Sequence, residues 1–343
     1  MPSPKTTIDI LDSVIRYLNI SVGLFLFVFG IAGNLLNIVV FSSLKTFRRN
    51  PCAVCLLVLS CCENGTLILN TLIDVLASML NDTFDANAIL PCKIRAAFAQ
   101  IFATISLSMM CFSAIDQSIS TSMPERHHGI NPKIMRRLIA IITVLSCVHA
   151  IPFFIYYDIQ PLPGTNLTIC RITDAGEVFS KYFIYVNLPL VNGVIPVTIM
   201  ILFGLLSSRN VHRMYNRRIY IVRLRLEKQL TGMVLAKIFS FAVTVVPFLI
   251  VYIIRYSISL YITDPIFQNQ ILLAQRVFTL LIYANYADTF YIFLACSARF
   301  RRQLKFVLFN IYLQQYRAKS NINRVQPIDR SFALTIDSGI EHK

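Results

Sequence analysis

The chain has 343 residues, 56% of them hydrophobic and only 14% charged, with a mean hydropathy of +0.63. A soluble domain carries roughly 25% charged residues, so this composition excludes a disordered chain, a coiled coil and an ordinary soluble enzyme, and points to a membrane. The net charge of +15 would suggest nucleic acid on a soluble protein, but in a membrane protein Lys and Arg collect on one side.

A helix needs about 20 mostly apolar residues to cross the hydrocarbon core. Seven stretches qualify: 18–42, 53–79, 95–121, 135–157, 182–206, 229–254 and 270–295. Residues 1–17 contain Lys5, Asp9, Asp12 and Arg16 and lack the layout of a cleaved signal peptide. They read as an extracellular N-terminal segment before an uncleaved first span. Residues 18–295 then form one membrane domain, 296–312 a short amphipathic helix and 313–343 a polar cytoplasmic tail. The connection 207–228 interleaves basic residues with Val211, Tyr215 and Ile219. It predicts a helical extension that meets a protein partner or anionic lipid heads, or that serves only as an anchor.

Residues 45–49, 126–137, 209–228 and 299–343 hold 23 of the 32 basic residues. All four lie on the same predicted side, which places the N-terminus outside and the C-terminus inside and removes nucleic acid as a partner. Asn81-Asp82-Thr83 and Asn166-Leu167-Thr168 are glycosylation sequons on the predicted outer side. Asn19-Ile20-Ser21 lies too close to the membrane, and Asn64-Gly65-Thr66 falls within the second span. Of nine cysteines only Cys92 and Cys170 lie outside the spans on the outer side. An oxidising exterior favours a disulfide between them over two free thiols. Cys52, Cys55, Cys61 and Cys62 sit on an apolar helix without facing His or acids, which speaks against zinc.

Several residues carry a family likeness. Gly33-Asn34 lies in the first span, and Leu57-Val58-Leu59-Ser60-Cys61-Cys62-Glu63 in the second reads as Leu-x-x-Ala-x-x-Asp with two changes. Asp116-Gln117-Ser118 stands where Asp-Arg-Tyr would follow Cys92. Pro196, then Phe241 with Pro247, match helix-five and helix-six motifs, and Phe300-Arg301-Arg302 begins a short final helix. Over about 18–312 the chain resembles the rhodopsin-like G-protein-coupled receptors. Its Glu227–Val234 segment resembles the invertebrate neuropeptide, FMRFamide-receptor-like members. The resemblance implies an all-α seven-helix bundle in the plasma membrane, an extracellular ligand (a neuropeptide), and a heterotrimeric G protein as partner.

Three departures bear on the switch. Gln117 replaces the family's Arg, so a lock to Glu227 at the base of helix six would be a hydrogen bond and not an ion pair. Val245 stands where a Trp is usual, two residues before Pro247, leaving Phe241 and other aromatics to fill the volume. Thr289 and Phe290, within Asp288–Phe293, take the places of Asn and Pro, so the seventh helix keeps a backbone donor there.

A charge within a span costs about 2.5–3.5 kcal/mol on insertion scales. Glu63 and Asp288 are the main cases, and alignment to the family groups them with Asn34, Ser106 and Asn285. The family binds sodium at this place, and oxygen ligands suit a hard cation. A proton shared by the two acids, or a purely hydrogen-bonded core, are the alternatives. Near the outer ends, Asp74, Gln100, Tyr252, Arg255 and Arg276 are candidate peptide contacts, or else groups that snorkel or pair with one another. Acids in the outer loops (Asp82, Asp85, Asp158, Asp174, Glu177) favour a basic peptide. No catalytic motif or phosphate loop is present, so an enzyme is not expected. Rival functions are a transporter, which would show internal repeats, and a seven-helix receptor that no longer couples to G protein.

Overall fold

The computed structural model describes residues 4–80, 89–122, 129–161, 168–173, 177–216, 221–259 and 265–313. Both sequons at Asn81 and Asn166, with Asp82, Asp85, Asp174 and His127-His128, lie outside the described residues, as do the side chains of Glu227 and Lys228.

Among the described residues, seven helices are long and apolar enough to cross a membrane. They are α1 (Pro4–Ser43), α2 (Pro51–Leu80, wider-turned at Leu67–Leu72), α3 (Ile89–Ser122) and α4 (Pro132–Tyr156), followed by α5, α6 (Ile221–Ser259) and α7 (Pro265–Cys296). Helix α5 is built from Glu177–Tyr182, the wider-turned Phe183–Val194 and Ile195–Asn216. A short helix, α8 (Ala298–Lys305), follows α7, and Ser297 caps it by accepting from the Phe300 N–H. Between α4 and α5, strands β1 (Tyr157–Pro161) and β2 (Thr168–Ile172) pair antiparallel. The protein is an all-α seven-helix bundle carrying one small hairpin.

Local chemistry starts the helices. Asn50 and Asn131 each accept a backbone N–H at the heads of α2 and α4, and Pro51 and Pro132 occupy first-turn positions where no N–H is needed. α1 begins well before the hydropathy-based start at residue 18. Its early turns are held by polar bonds, with Arg16 Nε donating to the Ser78 carbonyl at 2.8 Å and Asn19 Nδ2 to Ser78 Oγ at 3.4 Å. Hydropathy does not register such contacts.

α3 runs through the middle of the bundle, against α2, α4, α5 and α6, while α7 packs between α1 and α6. Cys92 on α3 and Cys170 on β2 form a disulfide that ties the hairpin to the head of α3. At the opposite, basic end, Phe41, Phe293 and Phe300 pack ring to ring, joining α1, α7 and α8. Phe290, in the family's proline place, packs on Phe300 as well. Large outward apolar residues such as Leu145, Val148 and Leu205 are exposed, as a lipid-facing surface requires.

Helices α1, α2 and α7 meet at Gly30. A Cβ there would lie 2.6 Å from Leu67 Cδ1 and 2.8 Å from Ala287 Cβ. The Ala287 backbone is also close, so the neighbours cannot simply rotate away. Gly30→Val is therefore expected to lower the unfolding temperature by several degrees, from overpacking of about 1–3 kcal/mol. Thermal unfolding of the purified protein checks this, and an unchanged midpoint would contradict the close approach.

Candidate functional site

The polar residues fall into three layers along the bundle. The first, at the disulfide end, is a cavity of about 510 Å³ whose walls include Asp74, Tyr252, Arg255 and Arg276. Gln100 lines a smaller neighbouring cavity of about 380 Å³ beside the disulfide, and its amide points to Thr104 Oγ1 at 3.2 Å. Asp74 is the hub of the main cavity. It accepts from Arg95 Nη2 at 2.7 Å and from the Tyr283 hydroxyl at 2.8 Å, and Arg276 Nη1 lies 3.5 Å away. Arg255 donates to Gln275 Oε1. Arg95 and Tyr283 were not among the residues singled out from sequence. Arg95, only three residues after Cys92, reads there as an interfacial charge. Just past α4, desolvation raises the Tyr157 phenol above its ordinary value, so it lines the cavity as a neutral hydroxyl.

Among the described residues, the charged side chains lining this cavity are Asp74, Arg95, Arg255 and Arg276, one acid against three guanidiniums. Of the loop acids from which a basic ligand is expected, Asp82, Asp85 and Asp174 lie outside the described residues. The ones described are already engaged, Asp158 with Lys93 at 3.8 Å and Glu177 with Lys181 at 2.7 Å. They lend little attraction to a ligand, whereas the cavity itself is positive.

The floor of the cavity is formed by Phe241, Val245 and Asn285. Val245 does not fill the volume a Trp would, and the cavity reaches down to it. Pro247 lies within α6 one half-turn higher, where it removes a backbone donor from the helix.

The second layer lies just below. Asn34 Nδ2 donates to the Tyr286 carbonyl at 3.0 Å, and Thr289 Oγ1 donates to Glu63 Oε1 at 2.8 Å. At its centre is a residue missed in the sequence, Lys237 of α6. Its side chain is 2% exposed, with Nζ 3.2 Å from Glu63 Oε1 and 2.8 Å from Asp288 Oδ1. Lys237 Nζ also donates to the Asn285 carbonyl and approaches Asn285 Oδ1 at 3.4 Å. Ser240 Oγ donates to Asp288. The ammonium thus bonds α6 to α2 and α7. The signal was present, a Lys ten residues before Pro247 inside an apolar run, and an ionisable residue there needs a partner.

Lys237 changes the account of the Glu63 pocket, for which sodium, a shared proton and a neutral polar core had been the alternatives. The ammonium supplies the cation. Glu63 Oε2, Asn34 Oδ1 and Ser106 Oγ are buried and lack hydrogen-bond partners among the described residues. Ordered water suits such atoms. A sodium ion on Glu63 Oε2 would lie on the order of 5 Å from the ammonium, with repulsion of about 3 kcal/mol at an effective dielectric of 20. The residues therefore do not fit a resident sodium ion. Asp288, 27% exposed, holds the remaining negative charge at the accessible side of the cluster.

The third layer is at the basic end. Asp116 is buried and accepts two backbone N–H groups, Cys52 N at 3.1 Å and Ile130 N at 2.8 Å. It staples α3 to the head of α2 and to the turn before α4. Gly129 allows this approach, since a Cβ there would fall 2.7 Å from Asp116 Oδ1. The Glu227 side chain expected to meet Gln117 lies outside the described residues. Gln117 Oε1 accepts from Thr231 Oγ1 of α6 at 3.0 Å, and Thr231 in turn contacts Ser207 Oγ of α5 at 3.2 Å. The Thr231 hydroxyl thus meets the Gln117 amide oxygen, and the buried Gln117 Nε2 has no partner among the described residues. Ser118 offers its carbonyl to Asn210 Nδ2 at 3.4 Å.

A family model described as 7 transmembrane receptor (rhodopsin family) matches residues 33–287. A search of curated proteins found no match.

Asp116→Ala leaves the buried Cys52 N–H and the partly buried Ile130 N–H unpaired, the buried one at about 1–3 kcal/mol. We expect a drop of several degrees in unfolding temperature, with Asp116→Asn falling between it and the wild type. An Asp116→Ala midpoint equal to wild type would remove the staple from the account.

Proposed function

Since the chain belongs to the rhodopsin family of seven-transmembrane receptors, we propose that it is a plasma-membrane receptor with its N-terminus outside, binding an extracellular peptide and signalling to a heterotrimeric G protein. The basic end then faces the cytoplasm, in line with the side bias of Lys and Arg. The disulfide end presents the ligand cavity. The observation that carries the ligand assignment is the charge of that cavity, three guanidiniums around one carboxylate. A guanidinium binds a carboxylate through two parallel hydrogen bonds. The pole of the peptide that enters the cavity is therefore an acidic side chain or a free carboxyl terminus, in a short peptide of the neuropeptide kind.

The ligand acts by binding one arrangement of the bundle better than another, since equal affinity would shift nothing. A group reaching the cavity floor would touch Phe241 and Asn285, and Asn285 is a direct partner of Lys237. This gives a contiguous route from the ligand to the helix-six tie without a Trp. At the basic end, Gln117 held by Thr231 makes a neutral closure between α3, α5 and α6. A second reading, a receptor that binds but does not couple, is favoured by that absence of a cation at position 117.

The test is a screen of short peptides, each with free-acid and amidated ends, on cells expressing the full chain, with binding and G-protein activation measured together. We expect free-acid or acidic peptides to activate, with potency falling tenfold or more in Arg276→Gln. Activation confined to basic, amidated peptides and indifferent to Arg276 would overturn the ligand assignment. Binding without activation that Gln117→Arg restores would establish the second reading.

A further inference from the structure

We propose that Lys237 is a tethered replacement for a diffusible cation, so that the central site of this receptor is closed to sodium and is opened to it by removing the lysine ammonium. Four observations carry this. Lys237 is fully enclosed, so its charge is committed to the site and not shared with solvent. Its ammonium touches both acids, the buried Glu63 at 3.2 Å and the half-buried Asp288 at 2.8 Å. The oxygens of Asn285 complete its three-donor valence. The other oxygen of the Glu63 carboxylate, Oε2, is buried and unpartnered among the described residues, as are Asn34 Oδ1 and Ser106 Oγ, and oxygens are what a small hard cation prefers. A cation on Glu63 Oε2 would meet the positive charge already held by Glu63 Oε1 at 3.2 Å. With the ammonium in place these oxygens suit water; without it, Glu63 and Asp288 leave the site with a net charge of −2.

The distinction matters mechanically. A free ion can leave while the helices stay put. A cation carried on α6 leaves the acids only if α6 itself moves or the lysine side chain swings out. Any rearrangement that separates α6 from α2 and α7 must therefore break these ion pairs directly. The inference stands apart from the identity of the ligand and from coupling, because it can be read without either.

The experiment uses the full chain in lipid nanodiscs, with unfolding followed by a thiol-reactive dye that reports on the buried Cys52, Cys55, Cys62 and Cys111. Sodium chloride is exchanged for choline chloride at constant ionic strength, so that general screening is held fixed. The wild-type midpoint is expected not to move. Lys237→Gln is expected to gain sodium-dependent stabilisation, with the apparent unfolding constant falling about tenfold once sodium reaches ten times its Kd. Adding Glu63→Gln to that variant should abolish the gain. Sodium-dependent stabilisation of the wild type that Glu63→Gln removes would overturn the proposal, as would a Lys237→Gln variant as indifferent to sodium as the wild type. Should Lys237→Gln fail to fold, wild type against Glu63→Gln decides alone. Sodium sensitivity confined to the wild type overturns the proposal, and insensitivity of both supports it.

Discussion

A buried ammonium needs its acids, and the packing of this bundle follows from that need. Removing charges from water costs several kcal/mol per ion even after relaxation, and is offset only when the geometry is good and the remaining donors are satisfied. Lys237 meets both conditions, but only while α2, α6 and α7 are held together. Glu63 comes from α2, Asp288 and Asn285 from α7. Thr289 on α7 adds a bond to the same Glu63 oxygen, and Asn34 on α1 bonds the Tyr286 carbonyl one turn away. Close contact of α1 with α2 and α7 at Gly30 lets these short polar side chains reach. The polar cluster and the tight helical seam therefore depend on each other.

This arrangement offers a physical alternative to a Trp-based switch. The chain has no Trp, and Val245 leaves the cavity floor open down to Phe241 and Asn285. Asn285 belongs to both the cavity and the Lys237 cluster, so the two layers share a residue and not merely a neighbourhood. The basic end closes differently, through neutral bonds from Gln117 to Thr231 to Ser207. Net hydrogen bonds of this kind contribute about 0.5–1.5 kcal/mol each, less than a buried ion pair loses when broken. The stronger restraint on α6 thus sits at mid-bundle and the weaker one at the basic end.

Much of the fold was legible in the sequence, because a span of hydrocarbon length leaves a plain hydropathy signal. Cys92 and Cys170 could be paired because they alone combine position with an oxidising side. The start of α1 was not legible, since Arg16 and Asn19 hold it through bonds to Ser78 that hydropathy does not register. Within the central pocket, Glu63 and Asp288 stood out as intramembrane acids, but Lys237 was passed over because it aligns with no family motif. Its role emerges only when three helices bring their charges together. The bond from Thr231 to Gln117 was not legible either, since a hydroxyl on α6 carries no charge to mark it as a partner. The positive lining of the main cavity was not legible, because Arg95 joins Arg255 and Arg276 there from a different helix.

A double-mutant cycle on Lys237 and Glu63 addresses the central tie most directly. Lys237→Met, Glu63→Gln and the pair together are compared with the wild type by unfolding of the purified receptor. Removing the ammonium alone is expected to cost about 3–5 kcal/mol, because it strands a buried carboxylate. Neutralising Glu63 as well should recover part of that loss, leaving a coupling of about 1 kcal/mol or more. Losses that simply add, to within about 0.5 kcal/mol, would contradict the claim that this ammonium and this carboxylate hold the bundle together.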